Sequence, residues 1–176
     1  MLKKLITAVS AAAFVFAIAA PLAAQGQAPA SPAGQATAKI GAATVTMDYG
    51  RPSVRGRKIM GGLVPFDKVW RTGANKATHL STDADLRIGT LAVPAGTYTI
   101  YTVPGEKAWT LVINKQTGQW GTQYDQAQDL GRVEMKVEAT PAAVEMFTIA
   151  INASGTTGTL SMEWENTRAS VAVEAK

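Results

Sequence analysis

From Lys39 to the C-terminus, apolar and polar positions alternate with a period of two, the pattern of strands with one buried face. Ala43, Val45, Met47 and Tyr49 alternate with Thr44, Thr46 and Asp48, which predicts a first strand. Short strands follow at 77–81, 86–88 and 91–93, parted by the acidic turn Asp83-Ala84-Asp85 and by Gly89-Thr90. Residues 97–103 and 108–114 flank the turn Pro104-Gly105-Glu106-Lys107 and make the clearest hairpin in the chain. Val133, Met135 and Val137 alternate with charged neighbours, and further strands are predicted at 144–152, 159–165 and 168–174. With eight to ten short strands and no amphipathic helix, the pattern predicts an all-β domain: an antiparallel β-sandwich of jelly-roll-like kind.

Two long segments interrupt the alternation. Residues 49–77 carry glycines, prolines and a run of basic side chains; residues 115–131 are polar and glycine-punctuated, with Trp120 and Tyr124 embedded and room for one helical turn near 125–129. Long connections in compact domains are usually functional or disordered, and the tryptophans argue against disorder.

The first 24 residues follow another pattern. Lys3 and Lys4 precede a charge-free apolar run at 5–20, Pro21 breaks it, and Leu22-Ala23-Ala24 offers small residues. That is the layout of a signal peptide, and the run is shorter than the roughly 20 residues a spanning helix needs. Removal of residues 1–24 from the 176 would leave 152, enough for one domain. Residues 25–38 are uncharged and lack large apolar groups, which predicts a flexible leader ahead of a single domain at 39–176. The expected location is outside the cytoplasm, periplasmic or secreted. The chain has no cysteine, so disulfides, thiol catalysis, thiolate metal sites and a lipid-modified cysteine are excluded, and no stable membrane anchor is expected after cleavage.

Charge is segregated. Residues 51–76 hold seven basic side chains against one acid, Asp67, while the rest of the chain after residue 24 has eight basic and 12 acidic residues. Nucleic acid is a poor partner for such a chain, which has no basic stripe along a helix. A small anionic or sugar-like ligand fits better. Arginine forks two N–H groups onto a carboxylate or phosphate, and glycines at 56, 61 and 62 allow close approach of backbone amides. The candidate ligand-binding residues are Arg51, Arg57, Lys58, Trp70, Arg71, Asn75, Asn114, Trp120 and Tyr124. The bland reading is that the arginines pair with acids elsewhere and pin the loop, with Trp70 in the core.

Other chemistry is thinly signalled. A lone histidine, His79, cannot make a multi-histidine metal site, no G-x-S-x-G serine is present, and neither a metal nor a cofactor is expected. Asp83 with Asp85, and Glu163 with Glu165, read as a solvated turn and an outer strand face.

The motifs Tyr49-Gly50-Arg51-Pro52, Gly56-Arg57-Lys58-Ile59, Gly61-Gly62-Leu63-Val64-Pro65-Phe66 and Val69-Trp70-Arg71-Thr72-Gly73-Ala74-Asn75-Lys76-Ala77-Thr78 resemble the signature of the DUF2911 family of exported bacterial proteins. Val93-Pro94-Ala95-Gly96-Thr97-Tyr98, Thr102-Val103-Pro104-Gly105, 109–114 and Gln119-Trp120-Gly121 extend the resemblance across the domain. It implies export and a β-rich fold, and it implies no activity. Three functions are therefore expected in order: a binding module for an envelope ligand, a cell-envelope hydrolase, or a structural protein that docks another envelope protein and whose Arg/Trp signature locks the fold.

Overall fold

A computed structural model describes residues 30–176. The expected signal peptide and the first residues of the expected leader lie outside the described residues. Nine strands make up the described chain: β1 (Ala33–Ile40), β2 (Ala43–Gly50), β3 (Thr78–Thr82), β4 (Leu86–Ile88), β5 (Leu91–Val93), β6 (Gly96–Pro104), β7 (Ala108–Asn114), β8 (Asp129–Ser154) and β9 (Thr157–Ala175). One 3₁₀ turn, Gln126–Gln128, precedes β8. No helix among the described residues is long and apolar enough to cross a membrane.

The all-β, antiparallel expectation holds, but the separate sheets of a sandwich do not appear. All nine strands join one sheet in the order β1-β2-β3-β6-β7-β8-β9-β4-β5. The reason is the length of β8 and β9, 26 and 19 residues. Pro141 and the Glu165-Asn166 step suggest breaks, yet pairing continues across them with register shifts between Ala139 and Val144 and between Val144 and Thr148. Such bulges absorb an unpaired residue and bend a strand without ending it. Glu165, at φ 55°, sits at this irregularity.

Strand β1 corrects the expected leader, because residues 33–38 are paired with β2 along their whole length. Ladder bonding is made by the backbone, so a strand of alanines, glycine and threonine can join an edge without burying large side chains; only Ala36 and Ile40 pack against the core.

The sheet curls until the chain after β2 meets β8. Beyond β2, Ser53 bridges Met146 of β8; Phe147 N donates to Pro52 O (2.9 Å) and Val54 N to Glu145 O (2.8 Å). Tyr49 Oη accepts from Ile149 N (2.9 Å). The inward face of β2 thus meets β8, and the enclosed core carries Met47, Leu80, Ile100, Leu111, Phe147 and Trp164. Strand β6 is buried on both faces. Ile100 points into this core, and Tyr101 lies under the 115–124 loop.

Candidate functional site

The signature segment is locked by backbone packing before any side chain acts. Trp70 N donates to Thr102 O (2.7 Å) and Thr102 N to Trp70 O (3.0 Å), so the chain runs beside β6 where β3 has not yet begun. Between Thr72 and Thr78 it loops outward, with Thr72 at φ 55°, Gly73 at φ 146° and Asn75 at φ 65°. Thr78 Oγ1 donates to Thr72 O (2.7 Å) and closes the loop's neck. A β-carbon on Gly50 would fall on the Ala74 carbonyl, and one on Gly73 would lie 2.8 Å from Gly50 O. Both glycines are therefore required by close backbone approach.

This packing sets Arg71 on one wall of a cavity of about 550 Å³. Ser53, Arg55 and Arg57 form a second wall, and Gly121, Thr122 and Tyr124 from the second loop form a third. Tyr101 and Trp164 reach it from β6 and β9, while Leu63, Val64 and Val69 contribute an aliphatic side. Ala30 and Ser31 complete the rim, held by Arg55 Nη2 donating to Ala30 O (2.9 Å) and Asn75 Nδ2 donating to Ser31 O (3.1 Å).

The electrostatics are one-sided. Among the described residues the ion pairs are Arg87–Glu174, Arg132–Asp129, Lys136–Glu138 and Arg168–Glu163, and none uses a basic residue of 51–76. Arg57 donates Nε to Val54 O (3.0 Å) and Nη2 to Ser53 O (2.6 Å); Arg71 donates Nε to Gly73 O (3.1 Å). Carbonyls orient these guanidinium groups without neutralising them. Each guanidinium has five N–H donors, so most remain free for a ligand. No Asp, Glu or His lines the cavity.

Of the nine residues singled out from the sequence, Arg57, Trp70, Arg71 and Tyr124 line this one cavity. The others stand elsewhere. Arg51 crosses to β8, donating Nε to Phe147 O (3.3 Å) and Nη2 to Thr148 Oγ1 (3.1 Å). Lys58 is exposed and Trp120 is half exposed, beside Lys76, which it bridges. Asn75 is spent on holding Ser31 at the rim. Asn114 is fully buried, donating to Asp125 O (2.8 Å) and Asp129 Oδ1 (2.9 Å) and accepting from Gln116 N (3.0 Å), so it fixes the second loop. Sequence reasoning misses Ser53, Arg55, Leu63, Val69, Tyr101, Thr122 and Trp164. Arg55 carries a signal, being in the basic run; Tyr101 and Trp164 read as strand residues.

Trp70 has a double role. It stacks on Trp164 (5.8 Å between centroids, 15° between planes) and meets Phe147 (5.0 Å, 71°) and Trp109 (6.1 Å, 89°) edgewise. The core reading of this residue holds, and its remaining edge borders the cavity.

Tyr101 and Tyr124 lie 4.8 Å apart at 64°. Tyr124 Oη donates to Asp129 Oδ2 (2.8 Å) and accepts from Arg132 Nη2 (2.6 Å), and Tyr101 Oη donates to Gln123 O (2.9 Å). Burial pushes both phenols above their ordinary pKa, helped at Tyr124 by its bond to Asp129. Both are neutral donors near pH 7.

The carboxylates outside the cavity brace loops. Asp83 accepts from Thr44 N (2.6 Å), which lowers its pKa, and Asp85 accepts from Ala95 N (2.9 Å). Glu165 Oε2 accepts from Ile59 N and Met60 N (both 3.3 Å), whereas Glu163 pairs with Arg168. No cluster of three or more metal-ligating side chains of the His, Cys, Asp and Glu types occurs among the described residues.

Fold and site together define an all-β domain whose single antiparallel sheet carries an arginine-walled cavity. The chain belongs to DUF2911, a family described as proteins of unknown function, which matches residues 31–173. No curated protein and no solved structure matches it.

Proposed function

We propose that this protein is an exported binding module whose ligand is a small anion held in the cavity by Arg55, Arg57 and Arg71. The single observation that carries this reading is the set of three guanidinium groups lining one cavity with no carboxylate in its wall. Arg71 is half-buried while Arg55 and Arg57 are exposed, and a bound anion would gain charge-assisted hydrogen bonds from all three. A cavity near 550 Å³ is of the size that takes drug-sized ligands. The hydrolase reading is weaker, since a general acid or base must reach the substrate and the titratable groups of the lining are only the two phenols and the guanidinium groups. Export rests on the signal-peptide pattern of residues 1–24.

The test is a thermal-shift screen of the protein against carboxylates, phosphates, sulfates and anionic sugars, beside Arg71→Gln. A ligand that binds only the folded state raises the melting temperature by mass action. The expected result is a shift in wild type that is lost in a still-folded variant. Equal shifts in both proteins would remove the arginine cavity as the site.

A structural reading is favoured for one part of the signature. Arg51 ties the chain after β2 to β8 and lines no part of the cavity, whereas the Gly50 contact fixes Ala74, which does line it.

A further inference from the structure

The cavity lining also bears on which anions fit. We infer that the ligand is an amphipathic anion: a carboxylate or phosphate attached to an aliphatic chain, the head on Arg55, Arg57 and Arg71 and the chain along Leu63, Val64 and Val69. This deepens the proposal of an anion-binding module and rests on it.

Three observations carry the inference. First, the cavity is far larger than an inorganic anion. At about 30 Å³ per water, 550 Å³ holds well over ten waters, so a phosphate alone would leave most of it filled with solvent.

Second, the aromatic residues are committed to one another. Sugars are held by flat, open ring faces, but Trp70 is stacked on Trp164, and Tyr124 meets Tyr101 at 64°. Trp120 is half exposed, but it stands outside the cavity. A carbohydrate therefore lacks its usual platform.

Third, part of the lining is aliphatic and exposed. Leu63 is 50% exposed and Val69 40% exposed, and both line the cavity. Together with Trp120 they are the large hydrophobic side chains that are exposed among the described residues. An alkyl chain passing over Leu63 and Val69 would remove that surface from water, which is favourable in proportion to the apolar area covered.

The test is isothermal titration of the protein with alkyl phosphates and alkyl carboxylates of four to ten carbons, kept below micelle-forming concentrations. Inorganic phosphate and glucuronate serve as the comparison anions. The expected result is a Kd that falls about fourfold per added methylene until the aliphatic side is covered. Leu63→Ser with Val69→Ser, both at exposed positions, should flatten that dependence. Arg71→Gln should weaken every chain length by the same factor.

Equal Kd values for butyl and decyl ligands, or tighter binding of glucuronate than of the decyl anions, would overturn the aliphatic inference and leave the anion site standing. Absence of binding by every anion would overturn both.

Discussion

The α-carbon of Gly50 lies against the carbonyl of Ala74, so closely that no β-carbon fits between them. The two residues belong to different motifs, and their contact fixes the outward loop that begins just after Arg71. Gly50 has no positive φ to favour glycine; the requirement is space alone. Gly50→Ala should therefore act as overpacking against rigid backbone, costing about 1–3 kcal/mol. Urea unfolding should show a lower midpoint with an unchanged slope.

Two arginines only 20 positions apart should respond in opposite ways. Arg51→Ala removes hydrogen bonds to Phe147 O and Thr148 and should cost about 1–3 kcal/mol of stability, with anion affinity unchanged in the folded fraction. Arg71→Gln should leave urea stability within about 1 kcal/mol, since its one bond is to a nearby carbonyl, yet abolish the ligand-induced thermal shift. The reverse assignment of effects would refute the division of the signature into a closing half and a binding half.

Closure of the sheet rests on Tyr49 as well. Its hydroxyl accepts from the buried Ile149 N–H. Tyr49→Phe keeps the ring against Phe147 (5.7 Å, 88°) but strands that N–H, a loss of about 1–3 kcal/mol. Amide exchange at Ile149 should accelerate in the variant more than exchange in β6.

His79 gives the fold an acid sensitivity. Burial lowers its pKa from the ordinary 6.5, opposed by Asp48 and aided by Lys76, and its Nε2 is buried with no hydrogen-bond partner. The unfolded chain then binds the proton more readily than the folded one. Its contribution is fully present above the unfolded pKa and is lost as the pH falls through 6.5 toward the lower folded value. His79→Thr should remove this component from the stability–pH profile as the pH falls below 6.5; an unchanged profile would show that burial at this position carries no cost.

The predicted hairpin was legible because turn and alternation agreed: residues 97–103 and 108–114 became β6 and β7 almost residue for residue. Strand β1 was not, since its ladder is made by backbone and its small side chains carry no hydrophobic period. The continuity of β8 and β9 was hidden by Pro141 and Glu165, which mark bulges here rather than ends. At the site, Arg57, Trp70, Arg71 and Tyr124 stood out on loops, where side chains face outward. Tyr101 and Trp164 did not, because only the curl of the sheet reveals that a strand's second face borders a cavity. Asn114 misled for the opposite reason: an asparagine that braces a loop and one that contacts a ligand look alike in a sequence.

The seam between residues 52–54 and 145–147 also sets the order in which the site can come into being. It joins positions some ninety residues apart, and the cavity draws its rim from Ala30 and Ser31 and part of its wall from Trp164. Contacts of such long sequence separation form late and slowly. A chain folding from its N-terminus can build the β2–β3 and β6–β7 ladders early. It has no binding competence until its final strand arrives, so the appearance of anion affinity during refolding should coincide with the last kinetic phase.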